Sequence, residues 1–211
     1  KYQRILLKIS GEALGGEKGT GFDEPTMDAI QAVAGEDVCA VLVELVQGEG
    51  GVNPLDQDFV TALDQMCHEK DWLLLCDEVQ TGVGRTGTLF AFQTFGFLPD
   101  VCSFAKGIGG GLPLGGIMAN EKCSDVLGPG THATTFGMNP VCCAGANAVL
   151  DILENGVLNE VNDKGAYLRK KIESFNSPYV KGTRGKGMMI GIIIDGVAPK
   201  ELAGKMIASG L

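Results

Sequence analysis

Acidic, amide and amine side chains follow three short apolar runs in this chain of 211 residues. In a sheet of parallel strands the carboxyl ends meet at one edge, and ligands bind there. If the three runs are neighbouring strands, these polar side chains come together. Any one of them alone is ordinarily a charge that marks the end of a buried strand. The residues are Glu44, Gln47 and Glu49 after residues 38–43; Asp77, Glu78 and Gln80 after residues 72–76; and Lys106 after residues 101–105.

Lys106 has the most distinctive surroundings of these residues. It follows an apolar run and precedes the glycine-rich residues 107–111, which a flat ligand can approach closely. An amine in such a place suits covalent attack on a carbonyl group. The alternative is a solvated surface lysine, and taken alone the residue supports both interpretations equally.

Asp77 lies 29 residues before Lys106, at the end of the neighbouring run. A carboxylate beside a protonated ring nitrogen keeps that nitrogen cationic, as pyridoxal phosphate requires when it acts as an electron sink. The alternative is an aspartate that caps a helix or closes a turn. Asp77 and Lys106 together predict a site for pyridoxal phosphate.

Residues 82–87 fit the G-x-G-x-x-G pattern of dinucleotide-binding loops. That pattern needs its glycines directly after a strand, whereas here Asp77 and Glu78 intervene and would repel a pyrophosphate. We therefore expect no nucleotide at this loop. His68 and His132 have no partners at metal-ligand spacing, so we expect no metal site.

Short apolar runs without alternation predict strands covered on both faces, and a period near 3.6 predicts helices. Strands that alternate with helices predict an α/β fold with a mostly parallel sheet and crossover helices. A smaller α+β domain is expected to begin near residue 156. The expected strands are 5–9, 38–46, 72–76, 101–105, 117–119 and a glycine-rich strand over 182–194; the expected helices are 55–67, 140–154, 157–176 and one from Pro199.

The composition excludes some classes of partner. With 26 acidic and 17 basic residues the net charge is −9, which disfavours nucleic acid and anionic membranes. No apolar run approaches the roughly 18 residues of a membrane helix. The seven cysteines are an odd set without C-x-x-C, and most lie in apolar runs. We expect reduced core thiols and a cytoplasmic protein.

Four segments, in order, resemble motifs of the class III pyridoxal-phosphate aminotransferases. They read VELVQGEGG at 43–51, CDEVQTGVGRTG at 76–87, FAKG at 104–107 and HATTFGMNP at 132–140. The resemblance covers about residues 33–211 and is strongest to the acetylornithine enzymes of arginine biosynthesis. It implies part of a fold-type I large domain, pyridoxal 5′-phosphate as cofactor, and amino-group transfer between N-acetylornithine and 2-oxoglutarate.

The resemblance also implies roles for single residues. Lys106 would bind the cofactor aldehyde and move a proton at the substrate α-carbon, and Asp77 would pair with the pyridinium nitrogen. Gln80 would lie near the ring hydroxyl. Thr135 would bind the cofactor phosphate of the neighbouring subunit, which implies a homodimer with shared active sites.

Glu44 and Glu49 would bind substrate: Glu49 would help to switch between the amino donor and 2-oxoglutarate, and Glu44 would line the same site. The family's phosphate-binding helix start, ring-stacking aromatic residue and carboxylate-binding arginine have no counterpart in this sequence. The alternative function is therefore a catalytically inactive fragment or a scaffold that depends on a partner.

The first residues resemble a different family, the bacterial uridylate kinases. In that resemblance Lys8 would contact nucleotide phosphates, and Ser10 and Gly11 would shape the phosphate loop. A nucleoside monophosphate kinase is thus a further alternative. The predicted organisation is a kinase-like stretch at 1–25, the second half of a large pyridoxal-phosphate domain at 33–155, and part of a small C-terminal domain at 156–211.

Overall fold

The computed structural model describes residues 5–8, 24–35 and 37–210. Helices and strands alternate through most of this range, as the periodicity predicts. In chain order the elements are β1 (Ile5–Lys8), α1 (Glu24–Val33), β2 (Val38–Val43), β3 (Val46–Gln47), β4 (Asn53–Pro54), α2 (Gln57–Lys70), β5 (Leu73–Asp77), α3 (Phe92–Phe95), β6 (Val101–Phe104), β7 (Gly116–Ala119), α4 (Pro140–Ile152), α5 (Leu158–Glu173), β8 (Val180–Lys186), β9 (Met189–Ile194) and α6 (Pro199–Ala208).

Five strands form the central sheet, in the order β1-β2-β5-β6-β7. The first four are parallel, and β7 alone runs antiparallel to its neighbour β6. The predicted α/β fold with a mostly parallel sheet is therefore confirmed. In the register, Val43 pairs with Cys76 and Asp77 pairs with Ser103, so the carboxyl ends of β2, β5 and β6 lie side by side.

The core lies between one face of the sheet and the helices α1 and α2. Val41, Val43, Leu74 and Cys76 point into it from β2 and β5, and Leu63 enters from α2. Leu73 and Leu75, on the other face of β5, are only half-buried. We expected both faces of the sheet to be covered. Among the described residues, helices cover one face, and the other face of β5 is only half-buried.

The two long C-terminal helices, α4 and α5, follow one another with a break at Gly156, which has a φ of +119°. The side chain of Asn139 accepts hydrogen bonds from the first amides of α4, and Pro140 follows it. By length and hydropathy alone the run 140–173 could cross a membrane, and only 11% of its most apolar window is buried. One such run is weak evidence for a membrane span.

The glycine-rich strand expected over 182–194 is wrong in one respect: it is two strands. β8 and β9 form an antiparallel hairpin in which Lys186 pairs with Met189. The chain reverses through Gly187, whose φ of +53° favours glycine. The hairpin packs against α5 and the segment before α2, so it approaches the edge of the main sheet where the polar residues lie.

Candidate active site

Lys106 begins a short 3₁₀ turn, Lys106–Gly109, two residues after β6 ends. Its backbone is in the left-handed region with a φ of +49°. Together with Gly107 it lines a cavity of about 540 Å³ at the carboxyl edge of the sheet. The other side chains on this wall include Glu49 and Gln80. Three predicted site residues thus share one cavity.

Asp77 ends β5 directly opposite Ser103, three residues before Lys106. Its Oδ1 accepts hydrogen bonds from the Val79 amide at 3.1 Å and from the Ser103 hydroxyl at 3.4 Å. Among the described residues its Oδ2 receives none. Asp77 is half-buried and is not on the wall of the cavity, so its carboxylate lies in the strand layer with one oxygen available.

Glu78, the next residue, is fully buried and has a structural role. Its Oε1 accepts a hydrogen bond from the Phe92 amide at 2.9 Å, and its Oε2 accepts one from the Thr81 hydroxyl. These bonds tie the end of β5 to the start of α3. The alternation of β5 therefore separates two adjacent carboxylates, and only Asp77 keeps an unpaired oxygen.

The loop after β2 carries the other two acidic residues of the site. Glu44 Oε2 accepts a hydrogen bond from the Gly48 amide at 3.2 Å, which closes the loop on itself. Glu49 is exposed on the cavity wall. Gln80 lies so close to Gly48 that a Cβ there would overlap its amide group. Glycine at position 48 thus lets the Gln80 amide lie flat against the loop.

Arg184 in β8 is a residue that sequence reasoning missed. Its Nε donates a hydrogen bond to the Gly51 carbonyl at 2.6 Å, across 133 residues of sequence. The contact joins the hairpin to the loop that carries Glu49. The available signal was an arginine in an otherwise glycine-rich strand. The sequence does not show which residue this arginine contacts.

Backbone strain is concentrated at the cavity. Val52, Val83 and Lys106 all have a positive φ, between 49° and 59°, and all three line it. For the two valines this conformation is a genuine outlier, because a branched Cβ crowds the backbone. Each such residue costs of the order of 1–3 kcal/mol, and strain of this kind clusters at functional sites.

The glycines of residues 82–87 serve packing. Gly84 has a φ of +83°, and a Cβ there would lie 3.0 Å from Leu153. A Cβ at Gly87 would overlap the side chain of Asn162. The loop therefore packs closely against α5 and the segment before it only because these positions are glycines. Close packing thus explains the G-x-G-x-x-G pattern of residues 82–87.

Thr135 lies apart from this cavity, in an exposed segment before α4. Phe136, Met138 and Val141 around it are also exposed, by 83%, 89% and 66%. Of the six predicted site residues the structure therefore brings Lys106, Gln80 and Glu49 onto one wall. It leaves Glu44 and Asp77 adjacent to that wall and Thr135 outside it.

Comparison with known proteins identifies relatives of this arrangement. The acetylornithine aminotransferase of Haemophilus ducreyi is 50% identical over 163 residues, covering 77% of this chain and 41% of that protein. The acetylornithine aminotransferase of Caldanaerobacter subterraneus subsp. tengcongensis is 40% identical over 212 residues, covering 99% and 53%. The chain thus spans about half the length of these curated relatives.

Solved structures show the same fold. An ornithine aminotransferase from Toxoplasma gondii ME49 matches with a TM-score of 0.82 at 28% identity, covering 100% of this chain and 56% of that one. The N-acetylornithine aminotransferase of Stenotrophomonas maltophilia K279a matches with a TM-score of 0.75 at 30% identity, covering 98% and 54%.

A family match decides the assignment. It begins at residue 14, earlier than the expected residue 33, and overlaps the stretch 1–25 that was predicted to be kinase-like. Most of that stretch, with the side chain of Lys8, lies outside what the structure describes. Because residues 14–211 match Aminotransferase class-III and three of the four ordered motifs contribute to one cavity, the chain belongs to the class III aminotransferases, a family that depends on pyridoxal phosphate.

Proposed function

We propose that this chain is part of an enzyme that transfers an amino group between N-acetylornithine and 2-oxoglutarate, in the biosynthesis of arginine. The observation that carries the proposal is the shared cavity of Lys106, Gln80 and Glu49, with Asp77 on the adjacent strand. The names of the relatives support the choice of substrate.

The residues present fit pyridoxal phosphate. The cavity offers a primary amine at Lys106, an amide at Gln80 and side-chain-free backbone at Gly48 and Gly107. At Gly107 a Cβ would lie only 3.3 Å from Val83, so any larger residue at this position would crowd the valine. When bound, pyridoxal phosphate supplies an electron sink for the substrate α-carbon.

Two residues would carry the chemistry. The Lys106 amine would bind the cofactor carbonyl and would afterwards move a proton at the substrate α-carbon. Asp77 Oδ2 would accept the pyridinium N–H, while Ser103 and Val79 hold Oδ1 in place. A carboxylate fixed in this way keeps the ring nitrogen protonated.

Gln80, Glu49 and Glu44 would act around this pair. The Gln80 amide, lying against Gly48, can donate to the ring hydroxyl. Glu49, exposed on the wall, can pair with a cationic group and release it when the donor is exchanged for 2-oxoglutarate. Glu44 keeps the loop closed through its bond to the Gly48 amide and would act from beside the cavity wall.

We also propose a homodimer in which Thr135 binds the cofactor phosphate of the partner subunit. The exposed apolar side chains Phe136, Met138 and Val141 lie around Thr135, and such a patch is typical of a protein interface. A dimer by analytical ultracentrifugation that is lost in Val141→Lys is expected. A compact monomer of the native protein would contradict the proposal.

The decisive experiment for the cofactor is chemical labelling. Native protein is incubated with pyridoxal phosphate, reduced with borohydride and mapped by peptide mass spectrometry. We expect one labelled residue, Lys106, and loss of the label in Lys106→Ala. Lys122→Ala is the matched control, because that lysine is exposed and pairs with Asp71 away from the cavity. Labels scattered over surface lysines would refute the proposal.

A second step separates the enzyme from an inactive scaffold. Addition of N-acetylornithine to the loaded protein should bleach the yellow cofactor, and 2-oxoglutarate should restore the colour. Specific labelling of Lys106 without bleaching would identify the scaffold. The intact mass of the native protein, measured alongside, gives the length of the chain that carries the activity.

Two further proposals concern the location of the protein in the cell and the role of its first 25 residues. A cytoplasmic location is supported by six described cysteines that are free thiols: Cys67, Cys76, Cys102, Cys123, Cys142 and Cys143. The resemblance of residues 1–25 to uridylate kinases would gain support only if the native protein showed uridylate-dependent ATP turnover that Lys8→Ala abolishes and Lys106→Ala leaves intact.

A further inference from the structure

A second cavity, of about 300 Å³, lies where three parts of the chain meet. These are the glycine loop with α3, the helix α5, and the turn of the β8–β9 hairpin. It shares no residue with the cavity of Lys106. We call it the basic cleft, and its polar lining is Thr86, Thr94, Asn162, Arg169 and Lys186.

The basic cleft combines two positive charges with neutral donors. Arg169 comes from α5 and Lys186 from the end of β8, and no carboxylate is among the described residues that line it. The chain as a whole has a net charge of −9. Two cations with no carboxylate beside them on the described lining create a local positive potential that attracts anions.

The guanidinium of Arg169 has an unpaired hydrogen-bond donor among the described residues. Its Nε is buried and has no acceptor within the part of the chain that the structure describes. One terminal nitrogen, Nη2, donates to the Gly187 carbonyl at 3.4 Å, which fixes the guanidinium against the hairpin turn. Because a buried N–H without a partner is destabilising, an acceptor in the cleft would stabilise the protein.

Lys186 is held in place by an aromatic ring, and its ammonium donates no hydrogen bond within the described part of the chain. Its Nζ lies 4.9 Å from the centre of the Phe95 ring, in a cation–π contact. The ammonium therefore remains able to donate hydrogen bonds beside Arg169. Thr94 and Asn162 add a hydroxyl and an amide, which are neutral donors for further oxygens.

We propose that the basic cleft binds a small oxyanion, a phosphate or a carboxylate, through Arg169 and Lys186. A guanidinium fork beside an ammonium matches the oxygens of either group and gives charge-assisted hydrogen bonds. The site is independent of the proposed aminotransferase chemistry, since it has its own residues on other elements.

The test is a titration of the native protein with inorganic phosphate by isothermal calorimetry. We expect saturable binding in the millimolar range that Arg169→Gln weakens about tenfold or more. Lys170→Gln is the matched control: it removes the same charge from the exposed neighbouring position of α5 and should change the affinity less than about twofold. Equal effects of the two variants would overturn the proposal.

Further variants guard against misfolding and against binding in the other cavity. Lys186→Met removes the second cation from a different element and should also weaken binding, with an unchanged circular dichroism spectrum. Lys106→Ala should bind phosphate normally; if it abolishes binding, the phosphate sits in the other cavity and the proposal fails. Acetate as a competitor distinguishes the two ligands, because displacement of phosphate assigns the site to carboxylates as well.

Discussion

The contact between α5 and the hairpin turn makes an unusual stability prediction for Gly165→Ala. In an ordinary exposed helix this change stabilises by about 0.8–1 kcal/mol, because alanine restricts the unfolded chain and favours the helix. Gly165 is buried against the backbone of Gly187. A Cβ there would overlap the Gly187 carbonyl oxygen and lie 2.7 Å from its carbon.

The structure therefore predicts the opposite sign. The helix and the turn must separate by about 1 Å to accept the methyl group, and such overpacking costs about 1–3 kcal/mol. The bond from Arg169 to the Gly187 carbonyl lengthens beyond its present 3.4 Å, and loss of a bond that is already this long costs about 1 kcal/mol more. Set against the helix gain, we expect a net loss of about 2 kcal/mol.

Hydrogen exchange read by mass spectrometry measures this locally. Amides of α5 should exchange about thirtyfold faster in Gly165→Ala, which corresponds to about 2 kcal/mol. Gly204→Ala is the matched control, since Gly204 is an exposed glycine in α6 with no atom near its would-be Cβ. In Gly204→Ala the amides of α6 should exchange about fourfold slower than in the native protein. Slower exchange in both variants would refute the packing argument.

Substitutions at three other positions test buried groups and the site loop. Glu78→Ala leaves the Phe92 amide without its acceptor and should cost about 3 kcal/mol or more in urea unfolding, against about 1 kcal/mol for Glu78→Gln. Burial raises the pKa of the Cys76 thiol above its ordinary 9.0. The unfolded chain therefore loses this proton first, and the unfolding free energy should fall from about pH 9 upward, by at most about 1.4 kcal/mol per pH unit for this thiol. Cys76→Ala should flatten that slope. Arg184→Met should speed amide exchange at Gly51 about fivefold, because the loop loses its bond to β8.

Each of these has a clear contrary outcome. Equal destabilisation by Glu78→Ala and Glu78→Gln would show that the acceptor for the Phe92 amide, which glutamine keeps and alanine removes, contributes little to stability. An unchanged alkaline slope in Cys76→Ala would show that other groups set it. Lys181→Met, an exposed lysine on the same strand as Arg184, controls for charge. If amide exchange at Gly51 is unchanged in Arg184→Met, the hydrogen bond between Arg184 and Gly51 does not hold the loop in place.

The part of the site that lies at strand ends was predictable from the sequence. Short runs rich in Val, Leu and Ile could only be buried strands, and the polar residue after each run marks where burial ends. Asp77 and Lys106 were found in this way, and the register of β5 with β6 brings their strands together. The physical signal here is local: it needs only a few consecutive residues.

The rest of the site depends on contacts between distant residues, which leave no local pattern. The turn at Gly187 could not be separated from the other glycines of 182–194, since its positive φ is fixed by packing against Arg85 and Thr86. The antiparallel direction of β7 likewise follows from its short connection to β6. The hairpin residues 188–190 on the cavity wall were missed for the same reason.

The hydrogen bond from Arg184 to Gly51 also has a consequence for biosynthesis. A ribosome releases the polypeptide from its amino end, so Glu49 and Lys106 emerge long before the guanidinium that fixes the loop between them is made. Closing a span of 133 residues comes after the nearer strand pairings have formed. The nascent chain therefore carries Lys106 through an interval in which one wall of the cavity around it has not yet formed.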